Sequence, residues 1–252
     1  MMVKLAVMMA AYNAAPYVGD ALASLLRQRD AARLDIIVVN DGSTDGTGEI
    51  VRALALHAPE IRLIDTRNGG VTRARNVALA ALADDTDLVT FLDADDLSPP
   101  GRLARDLERF RRDPRLQVLY GTTRLFRQTG EDRFAPDPGG PSMDVRGVQL
   151  AAGLYACRLI REVGWFDTSF QQAEDMDFLL RMFELAPRHE VTEEICLYYR
   201  RHATNITREA ETLRRDFSRA LLKSMQRRRQ HGGAPPPPGL FDAKSFAEGI
   251  DW

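Results

Sequence analysis

Four groups of side chains in this 252-residue sequence have the types and spacing to do chemistry. Asp93, Asp95 and Asp96 in FLDADD follow the most apolar run of the chain, LVTFL. Three carboxylates on one short turn repel each other unless a cation or a basic side chain neutralises them, and Mg2+ or Mn2+ prefers such hard oxygen ligands. A metal there would clamp a diphosphate. A solvated turn, with Asp96 or Ser98 capping a helix opened by Pro99 and Pro100, uses the same letters. In AEDMDF, Glu174, Asp175 and Asp177 open a helical pattern in which Phe178, Leu179, Met182 and Phe183 read as buried. The positive end of a helix favours an ionised carboxylate, so the position suits Asp175 as a base, and it equally suits plain charge complementation.

The other two groups are polar turns. Asn40 and Asp41 end an apolar run before Gly42, where Asp41 can accept hydrogen bonds from a ribose or a base, while Asp41, Ser43 and Asp45 also fit turn and cap chemistry. The glycines at 42, 46 and 48 do not make GxGxxG, and no GxxxxGK[ST] loop occurs. In NGGVTRARN, Arg73 and Arg75 fall in the first turns of a predicted helix. Cations there oppose the helix dipole and call for a phosphate or carboxylate opposite, unless they are ordinary surface arginines. His202, in YYRRH, reads as a ligand, a hydrogen-bond donor or an exposed imidazole.

The elements that must position these groups alternate. Residues 3–11, 35–39, 62–66 and 88–92 are short apolar runs separated by helix-period segments, one near 16–26, one carrying Ile50, Val51 and Leu54, and one at about 71–82. That is the pattern of βαβ units and of a parallel sheet covered on both faces, whose ligands lie at the carboxyl ends of its strands. Beyond Pro99 the sequence predicts a helix with Leu103, Leu107 and Phe110, then a strand at 116–126 in an antiparallel or mixed setting. Residues 127–147, rich in Gly, Pro and Asp, read as a mobile loop and a candidate acceptor lid. A helix from about Glu174 to Leu185 and a strand through EEICLYYRR follow. Residues 207–231 read as a basic amphipathic helix with Leu213, Phe217, Ala220, Leu221 and Met225 on one side. Pro235 to Pro238 separate it from a tail whose Phe241, Phe246 and Trp252 suit docking on the same chain or on a homodimer mate, plain disorder being the alternative.

Composition narrows the function classes. With 44% hydrophobic and 28% charged residues and a net charge of −2, the chain fits neither wholesale disorder nor a uniformly basic nucleic-acid binder. Cys157 and Cys196 lack zinc spacing and read as buried free thiols. The apolar run of MMVKLAVMMAAYN is too short to span a bilayer, so the expectation is a cytoplasmic protein, peripheral at most to the inner face of a membrane. The small net charge is a cancellation, because residues 1–99 hold 14 acids and 9 bases whereas 207–231 hold 3 acids and 8 bases. The basic helix can meet an anionic membrane or pack on the rest of the chain.

Taken in order, AYNAAPYV, VVNDGSTDGT, NGGVTRARN, FLDADD, GWFD, AEDMDF and YYRRH resemble glycosyltransferase family 2 over about residues 3–206. The resemblance implies an α/β fold of GT-A type, with a mostly parallel central sheet flanked by helices. It implies one transferase domain at 1–206, divided into a nucleotide-sugar half (about 1–98) and an acceptor half (about 99–206), followed by the helix at 207–231 and the tail at 232–252. The activity implied is metal-dependent, inverting transfer from a nucleotide-diphosphate sugar, a UDP-sugar first among them, to a hydroxyl of a glycan, lipid-linked or peptide acceptor. Cell-envelope or polysaccharide synthesis is the corresponding setting. By the same resemblance Ala11, Tyr12, Asn13, Asp41 and Arg75 bind the nucleotide sugar with Asp93, Ala94 and Asp95. Asp95, Asp93 and His202 hold Mn2+ or Mg2+, and Asp175 is the general base. Asn40 departs from the many members with a second Asp there, so nucleoside preference is not read from it. The competing readings are a nucleotidyltransferase, whose usual glycine-rich loop followed by Arg is missing, a metal-independent glycoside hydrolase and a non-catalytic glycan-binding protein.

Overall fold

In the computed structural model, which describes residues 2–128, 132–202 and 210–237, the most apolar runs become the centre of a sheet. β1 (Lys4–Ala11) lies between β2 (Arg33–Asp41) and β4 (Leu88–Phe91), with β3 (Ile61–Thr66) outside β2, and all four are parallel. Their core-facing residues are almost wholly buried, as a sheet covered on both faces requires. Register makes one edge of their ends. Ala11 pairs with Asn40, Asn40 with Asp65 and Met8 with Phe91, so Tyr12, Asp41 and Asp93 all leave the sheet on the same side.

The connections set the layers. α1 (Val18–Leu26) and α2 (Thr47–Ala55) join neighbouring strands in the same direction and pack against each other. α3 (Val71–Ala80) must carry the chain back from β3 to β4 and packs across β1 and β2. With right-handed crossovers this puts α3 on the opposite face, and the reversal opens a crevice at the ends of β1 and β4.

The second half extends the same sheet. β7 (Gly153–Ala156) runs antiparallel between β4 and β5 (Val118–Phe126). β8 (His189–Arg200) follows β5 in parallel along its whole length, so β6 (Ser142–Val145) and β7 share the other side of β5. The β5–β8 register slips around Gly121, where a methyl group would collide with Cys196 Sγ. Six of the eight strands therefore point one way, as expected of a mostly parallel sheet. α4 (Arg102–Arg112), α5 (Cys157–Val163), α6 (Glu174–Glu184) and α7 (Ala210–His231) complete the described elements.

Several expectations need correction. Residues 127–147 are not loop throughout: β6 pairs with β5, and Arg133 donates to Asp20 Oδ2 on α1 at 3.0 Å. The glycine-rich composition hid a strand of four residues. α4 starts at Arg102 behind Gly101 in the left-handed region, not at Pro99, and neither Asp96 nor Ser98 caps it. Instead, Gln28 Oε1 accepts the N–H of Leu103. α7 packs with only part of the expected apolar side, Ala220 buried and Phe217 against the core. Leu221 and Met225 are exposed, and the packed face centres on Asp216, Ala220 and Ser224. Cys157 and Cys196 are buried and unbridged, as expected. The tail aromatics Phe241, Phe246 and Trp252 lie outside the described residues.

Candidate functional site

The polar turns at the strand ends are laced together through backbone amides. Asn13, with φ +48°, donates its N–H to Ser43 Oγ, and its Oδ1 accepts the N–H of Thr44. Ala15 donates to Asp45 Oδ2, while Asp45 Oδ1 accepts the N–H and hydroxyl of Thr47 at the start of α2. Gly46 is the N-cap of α2, and Asp45 supports the first amide of the helix from the position before it. Asp41 is buried, with Oδ1 accepting the amide of Gly69 at 2.9 Å and Oδ2 that of Gly70 at 2.8 Å. It thus holds the loop that leads into α3. Gly42 makes the approach possible: its φ of +71° is left-handed, and a Cβ there would sit 2.6 Å from the Asn68 nitrogen. Asn40 bonds Asp65 through Nδ2 at 2.8 Å, which gives this residue a structural partner on the neighbouring strand. Tyr12 is half exposed beside this edge, whereas Ala11 and Ala94 are buried.

The three acids after β4 avoid mutual repulsion by taking three different partners. Asp93 Oδ1 accepts from Arg75 Nη2 at 3.0 Å. Asp95 Oδ2 lies 3.0 Å from His202 Nε2, and the His202 ring stacks on Tyr17 with centroids 4.4 Å apart. Asp96 is buried, accepts the N–H of Arg200 at 2.9 Å through Oδ1, and has no hydrogen-bond partner for Oδ2 among the described residues. Burial first, then the neighbouring charges of Asp95 and Asp93, pushes its pKa well above the usual carboxylate range. Asp93 and Asp95, each about a third exposed, are left facing the crevice.

Arg75 ties this turn to the start of α6. Its Nη1 pairs with Glu174 Oε1 while Nη2 holds Asp93, and the guanidinium lies 5.9 Å from the Phe166 ring centre. The anion that this helix-end arginine calls for is supplied by carboxylates of the chain itself. Burial works against its charge, but Asp93, Glu174 and Asp175 more than offset that and hold its pKa above the ordinary value. Burial raises the Glu174 carboxyl, with Arg75 opposing only in part. Asp175, next along, is pushed up to about 7 by burial and by Glu174, against Arg75 and the Met176 amide that donates to its Oδ1 at 2.7 Å. The phenyl rings of Phe166 and Phe178 stack beneath, 4.1 Å between centroids, and Asn76 clamps Phe166 by bonding both its N–H and its carbonyl.

Arg75, Asp93, Asp95, Glu174, Asp175 and His202 thus converge as one cluster, while Ala11, Tyr12, Asn13 and Asp41 line the adjoining strand ends. Two carboxylates and an imidazole are hard donors suited to Mg2+ or Mn2+, and a cation bound mainly through substrate phosphates needs only one or two of them. No three-residue metal cluster is assembled among the described residues. Sequence reasoning passed over Tyr17 as an ordinary helix-period position. It also left Glu174 without its partner, because Arg75 lies 99 residues away.

The family model for glycosyl transferase family 2 matches residues 6–163. Chondroitin synthase of Pasteurella multocida (strain Pm70) is 27% identical over 200 residues, covering 77% of this chain and 20% of that protein. The uncharacterised glycosyltransferase EpsJ of Bacillus subtilis (strain 168) is 28% identical over 218 residues, covering 78% of this chain and 60% of its own. The chain therefore spans from a fifth to three fifths of the length of these relatives. Among solved structures, residues 1–349 of S. aureus TarS in complex with UDP-GlcNAc superpose with a TM-score of 0.68 at 22% identity, over 88% of this chain and 65% of that one. The mannosyltransferase PcManGT of Pyrobaculum calidifontis, in complex with GDP-Man and Mn2+, gives 0.67 at 21% identity over 94% and 67%. The fold is that of GT-A glycosyltransferases.

Proposed function

The chain belongs to glycosyl transferase family 2, and from that membership and the cluster at the sheet edge we propose that it transfers a sugar, with inversion, from a nucleotide-diphosphate donor to an acceptor hydroxyl. The observation that carries the reading is the Arg75 bridge, which joins Asp93 beside the crevice to Glu174, the neighbour of Asp175. The nucleoside lies along Ala11, Tyr12, Asn13 and Asp41, at the strand ends. One or two of Asp95, Asp93 and His202 would hold Mn2+ or Mg2+, which when bound supplies positive charge to the departing diphosphate. Arg75 keeps Asp93 turned toward the donor. Asp175 accepts the proton of the acceptor hydroxyl as its oxygen bonds to the anomeric carbon and the bond from that carbon to the diphosphate oxygen breaks. A pKa near 7 suits a group that must be ionised to begin and able to hold a proton afterwards.

Residues 1–206 form the transferase domain in this reading, with donor binding assigned to about 1–98 and the acceptor side to about 99–206. The glycan, lipid-linked or peptide acceptor enters on the side of α6. The outer face of α7 exposes Leu221, Leu222 and Met225 beside Arg214 and Arg229, a combination suited to peripheral contact with anionic lipid at the inner face of a membrane. No helix among the described residues is long and apolar enough to cross a membrane.

The test is a thermal-shift screen of UDP, GDP and their sugars with Mn2+, followed by turnover of the stabilising nucleotide sugar. Asp175→Asn is expected to keep the thermal shift and lose turnover by about 10²-fold or more. Unchanged turnover in that variant removes Asp175 from the base role.

A further inference from the structure

α6 begins in an awkward place. Ala173, immediately before Glu174 and Asp175, has φ +59° and ψ +22°, a left-handed conformation that is unfavourable for a non-glycine residue. Its side chain offers no cap, so something else must hold the approach to the helix. That support comes from α7, 44 residues further along the chain. The Asp216 carboxylate is 2% exposed, and its Oδ2 accepts the N–H groups of Gln171 and Gln172, both at 3.1 Å. Its Oδ1 accepts from Arg215 Nε at 3.0 Å. These bonds hold Asp216 ionised, its pKa below the usual range despite burial.

The rest of α7 is fixed independently. Ser224 Oγ donates to Glu184 Oε1 at 2.6 Å, and Arg227 bonds both Glu184 and Asp177. α7 therefore lies alongside α6, anchored by Ser224 and Arg227 to Glu184 at its far end, by Arg227 also to Asp177 in its first turn, and by Asp216 to the loop before it. Losing the Asp216 carboxylate leaves the Ser224 and Arg227 contacts in place.

We propose that Asp216 is a positioning residue for the base: by holding the amides of Gln171 and Gln172 it fixes the left-handed step at Ala173, and with it the direction in which Glu174 and Asp175 face the crevice. This rests on the reading of Asp175 as the base. Asp216 touches neither the donor nor the acceptor and acts only through the backbone it holds.

Asp216→Ala, Asp216→Asn and Asp216→Glu separate the geometry from the charge. Asn retains an acceptor oxygen in the same place, whereas Glu keeps the charge and displaces it by one methylene. With the nucleotide sugar that supports turnover in the screen above, the Ala variant is expected to lose about tenfold or more in kcat with donor KM within about twofold, since small displacements of a reacting group carry large kinetic effects. The Asn variant recovers kcat to within about threefold of the parent, and the Glu variant stays slower than Asn. Amide hydrogen exchange at Gln171 and Gln172 accelerates in Ala and returns toward the parent rate in Asn, a readout that needs no donor. If Ala does not fold, the Asn and Glu pair alone decides. Parent-like kcat in Ala, unchanged exchange at both amides, or Glu outperforming Asn would overturn the inference. Asp175→Asn is run alongside: if it retains turnover, the base assignment fails, while the exchange data still judge the brace on its own.

Discussion

At the ends of β1, β2 and β3 the site residues are set by backbone, whereas the wall made by α6, β8 and α7 is set by side chains that reach across most of the chain. Asp41 meets the amides of Gly69 and Gly70, and Asn13 those of the turn after β2. Each depends on a tight turn with a required glycine or a short polar side chain, so the letters and the geometry stay close together. On the other side, Arg75 meets Glu174 and Arg200 lies 3.4 Å from Asp20 on α1, 180 residues away. Asp216 holds the loop before α6. The first region is rigid because its loops are short. The second is rigid only as far as its buried ion pairs and hydrogen bonds are satisfied, and Arg75 is where the two meet.

The most damaging way to break the contrast is Arg75→Ala. It leaves Glu174 buried without its cation and frees Asp93, and removing one member of a buried pair typically costs about 3–5 kcal/mol. Urea denaturation is expected to show a loss of that order, with Arg75→Lys recovering part of it because one ammonium cannot serve both carboxylates with the same fork. A loss under about 1 kcal/mol would mean that the two regions are joined by packing alone.

That asymmetry explains what could be read in the sequence. The βαβ half was legible because its periodicity, its polar turns and its register coincide: FLDADD had to leave the sheet beside AYN and NDGS once LVTFL was a strand next to β1. The start of α6 and the burial of Phe178, Leu179, Met182 and Phe183 were legible for the same reason. The strand at 142–145 was not, since four residues in a glycine-rich stretch carry too little period to stand out. Nor was the whole face of α7: counting apolar positions pointed to Leu221 and Met225, but Asp177 and Glu184 of α6 selected Ser224 and Arg227 instead. Asp96 shows the limit most plainly, because three identical side chains in DADD acquire three different states only when their partners from α3, β8 and the segment after it arrive.

The pH dependence sharpens the same contrast by isolating the ionic wall. Asp175, raised from 3.8 to about 7 by burial and by Glu174, must be ionised to act as a base. The acid limb of kcat/KM is therefore expected to have its midpoint near 7 rather than near 4, with activity falling about tenfold per pH unit below it. Because Glu174 and Asp175 interact, the midpoint belongs to the pair. The sign for stability is opposite: favouring the neutral carboxyl contributes stability that is complete below about pH 4 and is lost as pH rises through 7. A kcat/KM limb near 4 would show that the wall does not hold Asp175 as the structure has it.

The smallest effect tests whether every long-range ion pair matters equally. Arg124 on β5 grips Asp144 on β6 with two bonds, at 2.6 and 2.7 Å, a geometry as good as any pair in the site. Yet 36% and 43% of the two side chains stay in water, so screening and side-chain entropy offset most of the attraction. A double-mutant cycle with Arg124→Ala and Asp144→Ala is expected to give a coupling under about 1 kcal/mol that shrinks in high salt, with turnover unchanged. If it instead approached the Arg75 value, burial would not be what distinguishes the wall, and the strap formed by β6 would have to count as part of the site's support.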